Sequence, residues 1–353
     1  MDKDHLHKDG FVPKHLLKKL AKEGNEEAEK TLVKMASIEQ KKTNAVKNDS
    51  SEVHSFIDST QAQRLIYDSE NTKEFKRKLV REEGGPLVSD ENVNFAYDLS
   101  GQTLDYLKNK LGRNSINDQG MNLIFNVHYD ENLNNAMWIP NLEQMAFGDG
   151  DGKLFINFTR SIDVIAHEMA HGVTQFVNEL AYSHQSGALN EHFSDVIGSA
   201  VKQHVKGQTA ETADWLIGDE IVGPTFPGKA LRSMKEPGTA HQFDKQPAHF
   251  DDYRELPFDE ENDWGGVHLY SGIPNKAFYL VSLEIGTDRA AFLWYTAWHN
   301  RQIIRPNAKF VEAFEAIIKT AETLTGQGKL PQQTVSVVEN AFRQVGIKSP
   351  VTV

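Results

Sequence analysis

The apolar residues of this chain change period near Ser161, and no single layer of secondary structure accommodates both patterns. Before that point they alternate, as in Met121-Asn122-Leu123-Ile124-Phe125-Asn126-Val127, with a glycine-rich turn, Gly148-Asp149-Gly150-Asp151-Gly152, between apolar runs. This is the pattern of strands with one face on a core. After it they recur every three or four residues, through Ile162, Ile165, Met169, Val173 and Phe176, and again through Leu189, Phe193, Val196, Ile197 and Val201. That spacing places apolar side chains on one face of a helix. The 353 residues suffice for two ordinary domains and a short extra segment. We therefore expect an α+β protein with a β-rich unit over 51–180 that ends in a helix, followed by an α-helical unit over 181–353.

Residues 1–50 stand apart from both patterns. They hold eleven Lys against nine Asp and Glu, a net +2, so the rest of the chain, whose total is −12, carries −14. Opposite signs favour association of the two parts. Leu16, Leu17, Leu20, Ala28, Leu32 and Met35 recur at roughly helical spacing after Pro13, with Gly24 between them, which predicts two short amphipathic helices. The polar stretch from Lys41 to Glu52 reads as a linker, and an exposed linker is where a protease cuts. Residues 1–50 are thus expected to form a removable pro-segment.

The charge of −12 argues against nucleic acid as a partner, because phosphate binding is driven by clustered Lys and Arg. No run of eighteen apolar residues is present to span a bilayer. The opening Met1-Asp2-Lys3-Asp4-His5 lacks the apolar core of a secretory signal, which leaves the cytoplasm or export by a non-classical route. With no cysteine, disulfides and thiolate ligands are excluded, so a metal must be held by His and carboxylates.

His167-Glu168-Met169-Ala170-His171 lies in the first helical run. Two His four residues apart project from one face of a helix and can bind one zinc ion, with the intervening Glu beside it. Ser161 with Asp163 supplies a helix start. Gly172 is the local objection, since glycine costs about 1 kcal/mol in a helix interior. A catalytic zinc needs a third protein ligand and an open position. Glu191, in Ser186-Gly187-Ala188-Leu189-Asn190-Glu191-His192-Phe193-Ser194-Asp195, is the candidate. Asp195, one turn further on, suits a carboxylate that accepts the second ring N–H of a ligand histidine. Taken singly, each piece also reads as a solvent-facing helix with free imidazoles and carboxylates. His54, His128, His204, His241 and His249 are read as structural.

The two segments, about twenty residues apart, resemble the zinc-binding helix pair of the thermolysin family, and the resemblance covers about residues 60 to 350. It implies Zn²⁺ held by His167, His171 and Glu191, with Glu168 as general base. Tyr182 matches the family's tyrosine that hydrogen-bonds the developing oxyanion. Asp263-Trp264-Gly265-Gly266-Val267-His268 resembles the later signature, in which the histidine is the second donor and the aspartate orients it, so the resemblance assigns those roles to His268 and Asp263. Substrate positioning falls to Asn135 and Ala136, in Asn135-Ala136-Met137-Trp138, and to Arg232; Met137 departs from the usual aromatic. An exposed edge strand can take a peptide as an extra antiparallel strand. By the same resemblance Phe155, Phe158, Val164 and Leu231 line the pocket for the residue after the cut bond.

Thermolysin also binds paired calcium ions, and Asp163, Asp214 and Asp219 match those ligands or replace them conservatively. Lys202 and Leu216 stand where calcium-rich members have glutamates, and Lys229 replaces an aspartate of a further site. We expect weak or absent calcium binding at the paired site, with a lysine ammonium neutralising the remaining carboxylates. Phe11-Val12-Pro13-Lys14-His15-Leu16-Leu17 resembles the short pro-segment of the protealysin branch. The implied function is that of a monomeric zinc-dependent neutral endopeptidase, made as a zymogen, that hydrolyses peptide bonds before bulky hydrophobic residues. Its implied partners are peptide or protein substrates and its own pro-segment in cis, with a dedicated protein inhibitor as an open option. Two rivals are weighed against it. An aminopeptidase with the same ligands needs a Gly-x-Met-Glu-Asn motif, which is absent. A silent peptide-binding protein has no need to keep base, ligands and donors together.

Overall fold

A computed structural model describes residues 9–48 and 62–348. The first fifty residues supply two helices, α1 (Lys14–Lys22) and α2 (Glu26–Asn48). α1 buries Leu16, Leu17 and Leu20, each contributing roughly 1.5–3 kcal/mol. The stretch read as a linker from Lys41 is instead helical through Asn48. Its Lys and Ala residues are strong helix formers, and polarity alone does not reveal that. The remainder of the expected linker lies outside the described residues.

The strands β1 (Arg64–Asp68), β2 (Lys78–Glu82), β3 (Leu123–Val127), β4 (Ala136–Ile139) and β5 (Gln144–Phe147) form one sheet in the order β2-β1-β3-β5-β4. β1, β3 and β5 are parallel, and β2 and β4 run antiparallel at the two edges. β4 therefore presents one row of backbone groups to whatever lies alongside it. Alternation led us to expect one covered face, yet all five residues of β3 are buried. The inward Asn126 is satisfied, its Nδ2 donating to Gln144 Oε1 at 3.1 Å and to Met145 O at 2.9 Å.

A long helix, α3 (Glu91–Leu111), was not anticipated. Its buried face, Val93, Ala96, Tyr97, Ser100, Thr103, Tyr106, Leu107 and Leu111, mixes polar with apolar residues and so lacks a clean apolar period. Its ends are nonetheless marked, by Asp90 accepting from Asn92 N at 2.9 Å and by the left-handed Gly112 at φ 71°.

α4 (Ile162–Val177) is buried along nearly its whole length between the sheet and the helical unit. Gly172 is explained here: a Cβ would come within 2.7 Å of Ile116 Cγ2 and 3.2 Å of Trp138, so close packing on β4 outweighs the helix penalty. α5 (His184–Val205) lies along α4, followed by the short pair β6 (Leu216–Ile217) and β7 (Arg232–Ser233). α6 (Asp263–Tyr270), α7 (Gly272–Ile285), α8 (Thr287–Trp298), α9 (Phe310–Gly326) and α10 (Thr334–Gln344) complete the helical unit. Its core is aromatic, with Phe193 stacked on Trp298 and Phe314 on Phe342.

Candidate metal centre

α4 supplies His167, Glu168 and His171, and α5 supplies Glu191 and Asp195; all five are buried. His167 Nε2 and His171 Nε2 lie 3.0 Å apart. Glu191 Oε2 is 3.4 Å from the first and Oε1 is 3.5 Å from the second. The outer ring nitrogens are tied elsewhere. His167 Nδ1 is 2.9 Å from Asp195 Oδ1, and His171 Nδ1 is 2.9 Å from Asn190 Oδ1 and 3.1 Å from Ser194 Oγ. Acceptors at Nδ1 hold the ring protons on that side and aim both Nε2 lone pairs at the Glu191 carboxylate.

Three electron-pair donors lying within 4.8 Å of one another repel unless a cation sits among them. Two imidazole nitrogens and one carboxylate suit zinc, whereas calcium needs six or more oxygens. The residues therefore fit a zinc ion. Burial pushes His171 down to about 3, keeping it a neutral ligand. Burial also lowers His167, but Asp195 and Glu191 outweigh it and raise it to about 9, so protons compete with metal there. Glu191 is held well below the usual carboxylate range, because the neighbouring His268 and His171 overcome its burial.

Two hydrogen-bond donors flank this cluster. Tyr182 Oη donates to Glu191 Oε1 at 2.6 Å and lies 3.2 Å from His268 Nε2. Burial, followed by Glu191, pushes the phenol far up, so it keeps its proton. Asp263 Oδ1 is 2.7 Å from His268 Nδ1, and Oδ2 accepts from the His268 and Leu269 backbone N–H groups at 2.8 and 3.0 Å. Gly265 and Gly266, at φ 87° and 85°, curl the chain so that Asp263 meets those amides. Burial lowers His268, yet Glu191 and Asp263 prevail and raise it to about 9, which makes it a cationic donor at neutral pH.

On the opposite side, Glu168 Oε2 accepts from Trp138 N on β4 at 2.6 Å. Arg232 clamps Asp195 with two bonds, Nε to Oδ2 at 3.0 Å and Nη2 to Oδ1 at 2.9 Å. One carboxylate thus orients both a histidine of the cluster and the arginine. Spacing could not reveal how Asp195 is held in turn. Asn275 Nδ2 donates to its Oδ2 at 2.9 Å, His192 Nδ1 lies 2.7 Å from Asn275 Oδ1, and Trp294 Nε1 donates to His192 Nε2 at 2.7 Å. These partners sit on α5, α7 and α8, and only the fold joins them. Asn190 and Ser194 were equally missed, although they flank Glu191 within the quoted motif.

The cleft beside β4 is lined by the chain's own first segment. Phe11 N donates to Ala136 O at 2.9 Å. Val12 N donates to Asn135 Oδ1 at 2.9 Å, and Asn135 Nδ2 donates to Val12 O at 3.1 Å. Arg232 Nη1 donates to Phe11 O at 3.4 Å. The Phe11 ring is fully buried, edge-on to His167 with centroids 5.0 Å apart. Beside it a Cβ on Gly218 would approach Phe11 and Leu231 to 2.9 and 3.3 Å. Phe155 packs on Phe158 and Phe226, with centroids 5.7 and 5.2 Å apart, and Val164 is buried in the first turn of α4. Away from the cleft, Lys202 Nζ lies among Asp219, Asp214 (3.5 Å) and Asp163 (3.6 Å), and donates to Leu216 O at 3.0 Å.

Comparison with known proteins accords with this geometry. Residues 21–175 match the model of the thermolysin metallopeptidase catalytic domain, and residues 178–347 that of the thermolysin metallopeptidase alpha-helical domain. The chain is 39% identical over 350 residues to an extracellular metalloprotease of Pectobacterium carotovorum subsp. carotovorum, covering 96% of each. It is 37% identical over 351 residues to protease PrtS of Photorhabdus sp. (strain Az29), covering 96% of this chain and 92% of that one. Among solved structures it resembles the precursor of protealysin, a metalloproteinase from Serratia proteamaculans, with a TM-score of 0.77 and 40% identity over 84% of this chain and 91% of that one. The chain is a metalloendopeptidase and belongs to the thermolysin metallopeptidase family.

Proposed function

We propose that the protein is a zinc-dependent endopeptidase zymogen that hydrolyses peptide bonds on the amino side of bulky apolar residues. The observation that carries this reading is the convergence of His167, His171 and Glu191 between a carboxylate, Glu168, on the β4 side and two proton donors, Tyr182 and His268, on the other. A zinc ion held there supplies Lewis-acid polarisation of a peptide carbonyl and lowers the pKa of a water toward about 7. Glu168 takes the proton of the attacking water and passes it to the departing amine. Tyr182 and His268 donate to the carbonyl oxygen as charge builds on it. Asn135, Ala136 and Arg232 hold the substrate backbone extended against β4.

The choice of a bulky apolar residue after the cut is supported by the buried Phe11 ring beside Leu231, with Phe155, Phe158 and Val164 assigned to the same pocket. Inhibition in cis is supported by the bonds from Asn135, Ala136 and Arg232 to Phe11 and Val12, which take up the groups a substrate would use. Release then requires a cut beyond Asn48, because α2 runs that far and helical backbone resists proteolysis. We also assign the Lys202 ammonium the place of calcium among Asp163, Asp214 and Asp219.

Glu168→Ala tests the scheme. The variant should bind one equivalent of zinc as the parent does, while hydrolysis of a denatured protein falls about 10²–10⁴-fold. Near-normal turnover with metal bound would assign the base elsewhere.

A further inference from the structure

Residues 9–12 do more than cover the cleft. On one wall Asp9 Oδ2 accepts from Trp264 Nε1 at 3.0 Å. On the other wall Phe11 and Val12 bond to β4 and its neighbour Asn135. Only the 9–10 and 10–11 peptide bonds cross between the walls. The direction is that of a strand added to the β4 edge, and the ring on the carboxyl side of the second bond is the one buried edge-on to His167 and beside Gly218. Gly10 fits this crossing because it has no side chain. A Cβ there would lie 2.5 Å from Ala136 O and 2.7 Å from Asn135 Oδ1, so any other residue would lift the backbone off the edge strand.

We propose that this segment is the protein's own first substrate and that each chain hydrolyses its Gly10–Phe11 bond. The inference rests on the endopeptidase reading above and adds to it a self-cleavage site, distinct from the cut beyond Asn48. One water is consumed. Its oxygen bonds to the Gly10 carbonyl carbon, the bond from that carbon to Phe11 N breaks, and Glu168 carries the water's two protons, one after the other, to Phe11 N. The products are a carboxylate on Gly10 and an ammonium on Phe11. Asp9, which pairs with Lys14 at 3.4 Å and bonds Trp264, is then no longer covalently joined to α1. Detachment of this end precedes loss of the helices.

Two readouts test the proposal. In the full-length Glu168→Gln chain without added metal, the Phe11 and Val12 amides should exchange at least about 100-fold more slowly than in an unstructured peptide of the same sequence. Exchange at the peptide rate would overturn the register. The wild-type chain is then supplied with zinc and followed by intact mass and N-terminal sequencing. A new terminus at Phe11 should form with the same half-time over a tenfold dilution, as an intramolecular reaction requires. Absence of that terminus, in a preparation that hydrolyses denatured casein, would overturn the inference and leave the endopeptidase reading standing. A trimmed chain lacking residues 1–50 that binds zinc but hydrolyses no casein would sink that reading, and this inference with it.

Discussion

Lys202 offers the sharpest quantitative test of the proposal that its ammonium takes the place of calcium. Its ammonium is 2% exposed and lies among Asp163, which is fully buried, Asp219 and Asp214. Burial opposes the charge, yet the three carboxylates outweigh it and hold the lysine well above its usual range, so the cation persists throughout the neutral range. Lys202→Met keeps the aliphatic volume and deletes the charge, stranding Asp163 beside two other acids. Removing one partner of a buried ion pair costs about 3–5 kcal/mol. At about 2–4 °C per kcal/mol, the melting temperature should fall by about 6–20 °C. Calorimetry in a Glu168→Ala background, which prevents autolysis, measures this with zinc saturating and with or without millimolar calcium. The parent should shift by less than about 1 °C on adding calcium. Lys202→Glu should melt early without calcium and recover with it, since a fourth carboxylate then joins the Leu216 carbonyl around the gap. A parent that gains several degrees from calcium, or a Met variant that loses under about 1 kcal/mol, would refute the assignment.

Two further outcomes are expected. Tyr182→Phe should lower kcat about 10²–10³-fold with little change in KM, because the lost bond forms chiefly in the transition state; a KM effect alone would make Tyr182 a binding residue. His128 lies 2.7 Å from Asp149 and 2.8 Å from Asp90. Asp149, opposed by partial burial and helped by Asp90, raises it from 6.5 to about 9. A raised folded value means that its contribution is complete below about 6.5 and is lost as pH climbs through about 9. Water at the half-open carboxylates reduces that contribution to about 1 kcal/mol. Urea midpoints of the parent should therefore fall between pH 6.5 and 9 more steeply than those of His128→Gln, and parallel curves would remove the ion pair from the account.

Legibility followed locality. The His167 to His171 pair and Glu191 with Asp195 each lie within one turn of a helix, so helix geometry relates their side chains, whereas Asp263 and His268, joined by a non-helical turn, were legible only through the family resemblance. α3 escaped because its buried face includes Ser100 and Thr103, and the 41–48 stretch escaped because a polar run can be helix as well as linker. Gly172 looked like a fault in a helix until Ile116 and Trp138 were seen against it.

By itself the chain's order of residues showed the change of apolar period near Ser161, the different charge of the first fifty residues and the candidate metal-ligating side chains. Only the tertiary structure decided that three segments far apart in sequence meet at one point, that Asp195, held by Asn275, serves His167 and Arg232 together, and that Phe11 is buried in the cleft. The physical reason is range. Periodicity and motif spacing report interactions within a few turns of backbone, whereas the field at the Asp195 carboxylate includes a residue 80 positions away and the fit of the Phe11 ring involves partners far more distant in sequence, brought together by burial of the core.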